Sequence, residues 1–173
     1  MTTDIQENDM TLFIVIAEDD HLQDGPLQEL LREHFPTARI EVVLTERDFR
    51  DRLAGYRRDP PSIVVMDVMM RWASPRQGDP PPPSDVLAGG YRRAGIRCVG
   101  LMRRTPALRD VPVVYYTILE RSDLERDADA FPDNVFLVRK SSDRQPLARK
   151  IRELTGTGRR GARRRRRSAQ GRA

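Results

Sequence analysis

Ile63-Val64-Val65-Met66-Asp67-Val68-Met69-Met70 is an apolar stretch with a single acid in it. Its first four residues are rich in Val and Ile and show no alternation with polar side chains. That pattern suits a strand covered on both faces, as in a parallel sheet, rather than one with a wet side. Asp67 stands where this strand ends.

Working outward, the same kind of run recurs at Leu12–Ala17, Ile40–Leu44, Val111–Tyr116 and Val135–Val138. Helical spacing fills the intervals. Leu27, Leu30, Leu31 and Phe35 recur at i, i+3, i+4 and i+8, with Pro26 expected in the first turn, where its missing N–H costs nothing. Phe49, Leu53 and Tyr56 follow a cap expected at Thr45. Tyr91, Ala94, Cys98 and Met102 mark a third helix. Ser122 to Glu125 reads as a capping box opening a short fourth one. Leu147, Ile151 and Leu154 mark a fifth. Five strand–helix units in alternation imply an α/β fold, a doubly wound five-stranded parallel sheet with helices on both faces.

Three segments fall outside that unit. Residues 1–9 are polar and expected to be disordered. The connection from Arg71 to Gly89 contains Pro75 and the run Pro80 to Pro83, and is long for a link of this kind, so it reads as an insertion, a lid or a disordered loop. From residue 155 the chain is a Gly/Arg tail, expected to be disordered. Residues 159–173 hold eight arginines and no acid. The whole chain of 173 residues carries +5, while the part before this tail has 23 basic against 26 acidic side chains, a net −3. The basic pI therefore belongs to the tail.

Composition excludes several classes. The longest apolar run, Leu12 to Ala17, is far too short to cross a membrane, and the acidic start has no secretory character. One cysteine, Cys98, forms no internal disulfide, and with His21 and His34 it makes no zinc-type cluster. A cytoplasmic setting is expected. Cys98 is expected in the core, His34 on or near a helix surface, and His21 beside the acids or in a plain loop. Trp72 is either a docking aromatic or part of a loose insertion.

In open α/β sheets ligands gather beyond the C-terminal ends of the strands. Here those ends carry Glu18-Asp19-Asp20, Asp67, Thr117 and Arg139-Lys140. No Gly-rich turn stands there to cradle a nucleotide, and no G-x-x-x-x-G-K-[ST] occurs anywhere. An oxygen-rich acid cluster suits Mg²⁺, which takes one or two carboxylates, water and a phosphoryl oxygen. Among 29 arginines the chain has two lysines, and Lys140 is at a strand end, where a compact ammonium meets a single oxygen as a point charge.

An acidic pair after the first strand, Asp after the third, Thr after the fourth and Lys after the fifth resemble the receiver domain of response regulators, the CheY-like, flavodoxin-like family. The resemblance spans residues 10–154. It implies Asp67 as phosphoacceptor and Glu18 and Asp19 as Mg²⁺ carboxylates, joined by Asp67 and the backbone carbonyl of Met69. It further implies Thr117 as the switch hydroxyl and Lys140 as the phosphate lysine. The implied activity is phosphorelay signalling: self-phosphorylation from a histidine kinase or phosphotransfer protein, with output to a downstream protein partner.

The chain departs from the family pattern at several positions. Arg71 replaces a proline, Ile118 a small residue and Ser141 a proline, and the usual switch aromatic falls near Leu137, where the nearest aromatic is Phe136. The family's glycine is displaced by the insertion to Gly89 or Gly90. These departures keep a second class open, a degenerate, non-phosphorylated receiver serving as an interaction module. A third reading gives Arg163–Arg167 nonspecific contact with nucleic acid, without stacking aromatics to read sequence. A haloacid-dehalogenase-like phosphatase needs a second Asp two positions after the first, where Met69 stands.

Overall fold

The computed structural model describes residues 11–74, 81–127 and 129–156, without the side chains of 21–24. The expected disordered start at 1–9, the arginines 163–167 and nearly all of the expected tail lie outside these residues.

Five strands form: β1 (Phe13–Ala17), β2 (Arg39–Val43), β3 (Ile63–Met66), β4 (Val113–Thr117) and β5 (Val135–Arg139). All neighbours pair parallel, in the order β2-β1-β3-β4-β5. This is the doubly wound sheet expected from the alternation. Every residue of β1, β3 and β4 is buried, whereas the edge strands β2 and β5 are only partly so. The unbroken apolar runs thus mark the strands with helices on both faces.

Side-chain alternation divides the core in two. Ile14, Ile16, Ile63, Val65, Val114 and Tyr116 point to one face. There they meet Leu27 and Leu31 of α1 (His21–His34) and Leu147 and Ile151 of α6 (Gln145–Thr155). Val15, Val64, Met66, Val113 and Tyr115 point the other way. They meet Phe49 and Tyr56 of α2 (Glu46–Arg58) and Cys98, Val99 and Met102 of α4 (Ala94–Arg104). Cys98 is fully buried, as expected, and burial pushes its thiol well above the ordinary range.

The helix boundaries refine the sequence reading. Thr45 caps α2, its hydroxyl accepting the Asp48 N–H at 3.1 Å. α1 begins at His21, so Pro26 lies inside it rather than in its first turn. The apolar spacing starts at Leu27 and carries no trace of the polar turn that precedes it. Tyr91 belongs to a 3₁₀ turn, Tyr91–Arg93, ahead of α4. The fourth helix of the sequence reading is the single turn α5, Arg121–Leu124. Its capping box joins Glu120 and Asp123, not Ser122 and Glu125, because the Asp123 carboxylate reaches back to the Glu120 N–H. α6 runs through Thr155 and closes on Gly156 at φ 71°, so the tail starts later than expected. The insertion is structured in its second half, where Ser84–Gly89 forms a short helix, α3.

Parallel register gathers the strand ends at one edge. Ala17 pairs with Met66, which sets Glu18 and Asp67 side by side. Thr117 pairs with Arg139, which brings Lys140 to the same edge.

Candidate functional site

A cleft of about 560 Å³ opens at this edge. Glu18, Asp19, Asp67, Met69 and Lys140 line it, with Tyr91 and Ile118 at its apolar side. Glu18 and Asp67 are buried, at 2% and 6% exposure. Lys140 Nζ lies 2.7 Å from Asp67 Oδ2 and 2.7 Å from Glu18 Oε2, bridging the two. The other Asp67 oxygen, Oδ1, accepts the Met69 N–H at 3.1 Å. The Glu18 Oε1 accepts the Asp20 N–H at 3.2 Å.

Two buried carboxylates share one ammonium, so the cluster is short of positive charge. Burial raises the Glu18 carboxyl to about 7; the Lys140 hydrogen bond opposes this and the Asp67 charge reinforces it. Burial alone would lower the Lys140 ammonium, yet the charge and hydrogen bond of Asp67, with those of Glu18, carry it above its ordinary value. The ammonium therefore stays charged and the Glu18 carboxyl titrates near neutrality.

A hard cation fits these residues. Carboxylate oxygens of Glu18, Asp19 and Asp67 lie within 4.8 Å of one another, and their chemistry is the one Mg²⁺ takes. Met69, expected to offer its carbonyl, lines the same cleft.

Thr117 ends β4 as expected, but its side chain is fully buried and is not among the residues lining the cleft. Its hydroxyl has no partner among the described residues, and its carbonyl accepts the Lys140 N–H at 2.9 Å. Ile118 is 60% exposed at the cleft's rim. Leu137, in place of an aromatic, packs against the core on the α4 side of the sheet.

Three participants were not legible beforehand. Gly95, the second residue of α4, presses on the backbone of Asp67 and Val68. A Cβ there would stand 2.4 Å from the Asp67 carbonyl oxygen and 2.8 Å from the Val68 Cα. Glu46 is fully buried and holds Arg97 through two bonds of 2.9 and 2.5 Å and Arg50 through one of 2.6 Å. Arg50 also reaches Asp85 of α3 at 2.6 Å and lies 5.1 Å from the Trp72 ring centre, so Trp72 is seated rather than loose. Arg71 takes hold of Asp19. A glycine in a helical pattern, an acid in a first turn and a basic residue in a loop all have commoner readings, and the partners here are remote in sequence.

No family model and no curated protein matches the sequence. Solved structures do match in shape. The signal receiver domain of a DNA-binding response regulator from Colwellia psychrerythraea shares 22% identity at a TM-score of 0.58, over 84% of this chain and 98% of that one. That of a signal transduction histidine kinase from Syntrophus aciditrophicus shares 22% at 0.60, over 85% and 92%. The fold is that of a receiver domain. A third receiver, from a sensor histidine kinase of Pseudomonas aeruginosa, matches at 16% identity and 0.60, over 84% and 98%, and holds a magnesium ion in its active-site cleft. Among the described residues no helix of this receiver fold is long and apolar enough to cross a membrane.

Proposed function

We propose that this chain is a phosphorelay receiver in which Asp67 accepts a phosphoryl group from the phosphohistidine of a kinase or phosphotransfer protein. The observation that carries this reading is the Lys140 ammonium, 2.7 Å from both Asp67 and Glu18 and beside a third carboxylate on Asp19. An Asp67 carboxylate oxygen attacks phosphorus in line, the P–N bond to the donor imidazole breaks, and the imidazole nitrogen takes the electron pair. Lys140 is placed to leave Glu18 and Asp67 for the new phosphoryl oxygens, since its ammonium is held charged and already lies 2.7 Å from an Asp67 oxygen. Mg²⁺, held by Glu18, Asp19, Asp67 and the Met69 carbonyl, would neutralise charge on the transferring group. Thr117 would supply a hydroxyl that has no partner among the described residues, so a turn toward a phosphoryl oxygen gives up no bond made there.

Incubation of the protein with acetyl phosphate, with and without Mg²⁺, followed by intact-mass spectrometry, tests the proposal. One phosphoryl adduct that requires both Mg²⁺ and Asp67, and is lost in Asp67→Ala, is the expected result. No adduct, together with no binding of beryllofluoride and Mg²⁺, would replace it with the interaction-module reading, in which Ile118 at the rim bars the donor.

A further inference from the structure

Arg71 occupies one of the three carboxylates. Its backbone N–H donates to Asp19 Oδ2 at 2.9 Å, its Nε to the same oxygen at 3.2 Å, and its Nη2 to the Asp19 carbonyl at 3.0 Å. Lys140 serves Glu18 and Asp67, so each acid of the cluster already has a cation from this chain. A divalent ion drawn to the Asp19 carboxylate meets a guanidinium already bonded to its Oδ2, and like charges a few ångströms apart repel.

The displaced arginine does not stand alone. The carbonyls of Arg71 and Trp72 accept the first N–H groups of α2, from Glu46 at 3.0 Å and Arg47 at 2.8 Å. The Trp72 ring lies beside Arg50, which ties α2 to α3. Movement at Arg71 is therefore felt by the next side chain and by the start of α2.

We propose that Arg71 is a resident counter-cation of Asp19 that competes with Mg²⁺ for this carboxylate, so that it weakens the metal site and reports metal occupancy through Trp72. The inference rests on the metal reading above. The displacement is inexpensive, because the Arg71 side chain is 47% exposed and its released guanidinium returns to water. The effect on affinity is accordingly modest, about three- to fivefold, the upper end of what an exposed ion pair contributes.

The test is Mg²⁺ titration of the full chain by calorimetry and by the emission of Trp72, the one tryptophan. Arg71→Ala and Arg71→Gln both retain the backbone N–H to Asp19, and two variants guard against one that folds badly. Arg139→Gln removes a positive charge near the same sheet edge whose partner is Glu120, and controls for net charge. Severalfold tighter binding in both Arg71 variants, with Arg139→Gln within about twofold of wild type, and a Trp72 shift on Mg²⁺ addition to wild type, is expected. Equal affinities in wild type and the Arg71 variants overturn the inference, as does an equal gain in Arg139→Gln. Measurable binding without any change at Trp72 overturns the reporting role. No binding in any protein removes the metal reading itself, an outcome distinct from equal, measurable affinities.

Discussion

Two glycines on one helix should respond in opposite directions to the same substitution. Gly95 and Gly100 both lie in α4. At Gly100 the nearest atom to an added Cβ is Arg104 Nη1 at 3.4 Å, the end of a flexible side chain. Gly100→Ala should therefore gain helix propensity, about 0.5–1 kcal/mol. At Gly95 the neighbours are backbone atoms at the end of β3, with the Asp67 carbonyl oxygen at 2.4 Å and the Val68 Cα at 2.8 Å. Neither can swing aside, and Gly95 is also fixed by its own N–H, which donates to the Val68 carbonyl at 3.0 Å. Strain from overpacking of this kind runs to about 3 kcal/mol. Setting the propensity gain against it leaves Gly95→Ala about 2 kcal/mol less stable. For a domain of this size that lowers the melting temperature by about 4–8 °C, while Gly100→Ala raises it by about 1–4 °C. Differential scanning calorimetry of the three proteins measures both. Relief of the clash moves Asp67, so phosphorylation by acetyl phosphate should also slow in Gly95→Ala. A Gly95→Ala protein that melts at or above wild type would refute the close approach of α4 to the end of β3.

Lys140→Met leaves Glu18 and Asp67 without their ammonium, and breaking a buried pair of this kind costs about 3–5 kcal/mol. The loss, read by urea denaturation without Mg²⁺, should be larger at pH 8 than at pH 5.5, because a protonated Glu18 no longer needs the cation. Glu18 itself has a folded value of about 7 against an ordinary 4.5. The stability linked to that upward shift is complete below 4.5 and disappears as pH rises through 7. Since a bound cation needs the ionised carboxylate, Mg²⁺ binding should release a fraction of a proton near pH 6.5 and none near pH 9; calorimetry in two buffers of different ionisation enthalpy measures it. Cys98 is fully buried with its thiol pushed far up by desolvation, so a disulfide reagent at pH 8 should label native protein at the rate of global opening and denatured protein at once. Fast labelling of the native state would contradict the packing of α4 on the sheet.

The strand ends were legible because their positions follow from the length of apolar runs. Ile63 to Met66 is a strand in full with Asp67 at its end, Glu18 follows β1 and Lys140 follows β5, and all three line the cleft. What depended on side-chain direction was not legible. Thr117 sits at the expected end of β4, yet it is buried, and Ile118 after it takes the place at the rim. The insertion hid α3, because six residues, Ser84–Gly89, offer no helical periodicity to read. Glu46 reads as an ordinary acid in the first turn of a helix. Its burial is decided by Arg97, 51 positions later, and Arg50 on its own helix.

The charges at the cleft also decide where a phosphoryl group could find help. Helix N-termini often stabilise phosphate through free N–H groups. At α2 that route is closed: the Glu46 and Arg47 N–H groups are engaged by the carbonyls of Arg71 and Trp72, and the Asp48 N–H by Thr45. New negative charge on Asp67 must then be met by side-chain cations and a metal ion. Lys140 is already adjacent. Arg144 also lines the cleft, and Arg71, once off Asp19, is a further cation at the same edge. Because its carbonyl is bonded to the start of α2, its movement is coupled to Trp72 and through Arg50 to α3. The structure thus links the acid cluster to the inserted segment by continuous hydrogen bonds and ring contact. At the position of the usual switch aromatic, Leu137 offers only apolar packing. A structural response to metal is accordingly expected on the α2–α3 side: hydrogen exchange in α2 should change when Mg²⁺ is added to wild type, and a Trp72→Ala protein that binds Mg²⁺ normally without that change would assign the coupling to Trp72.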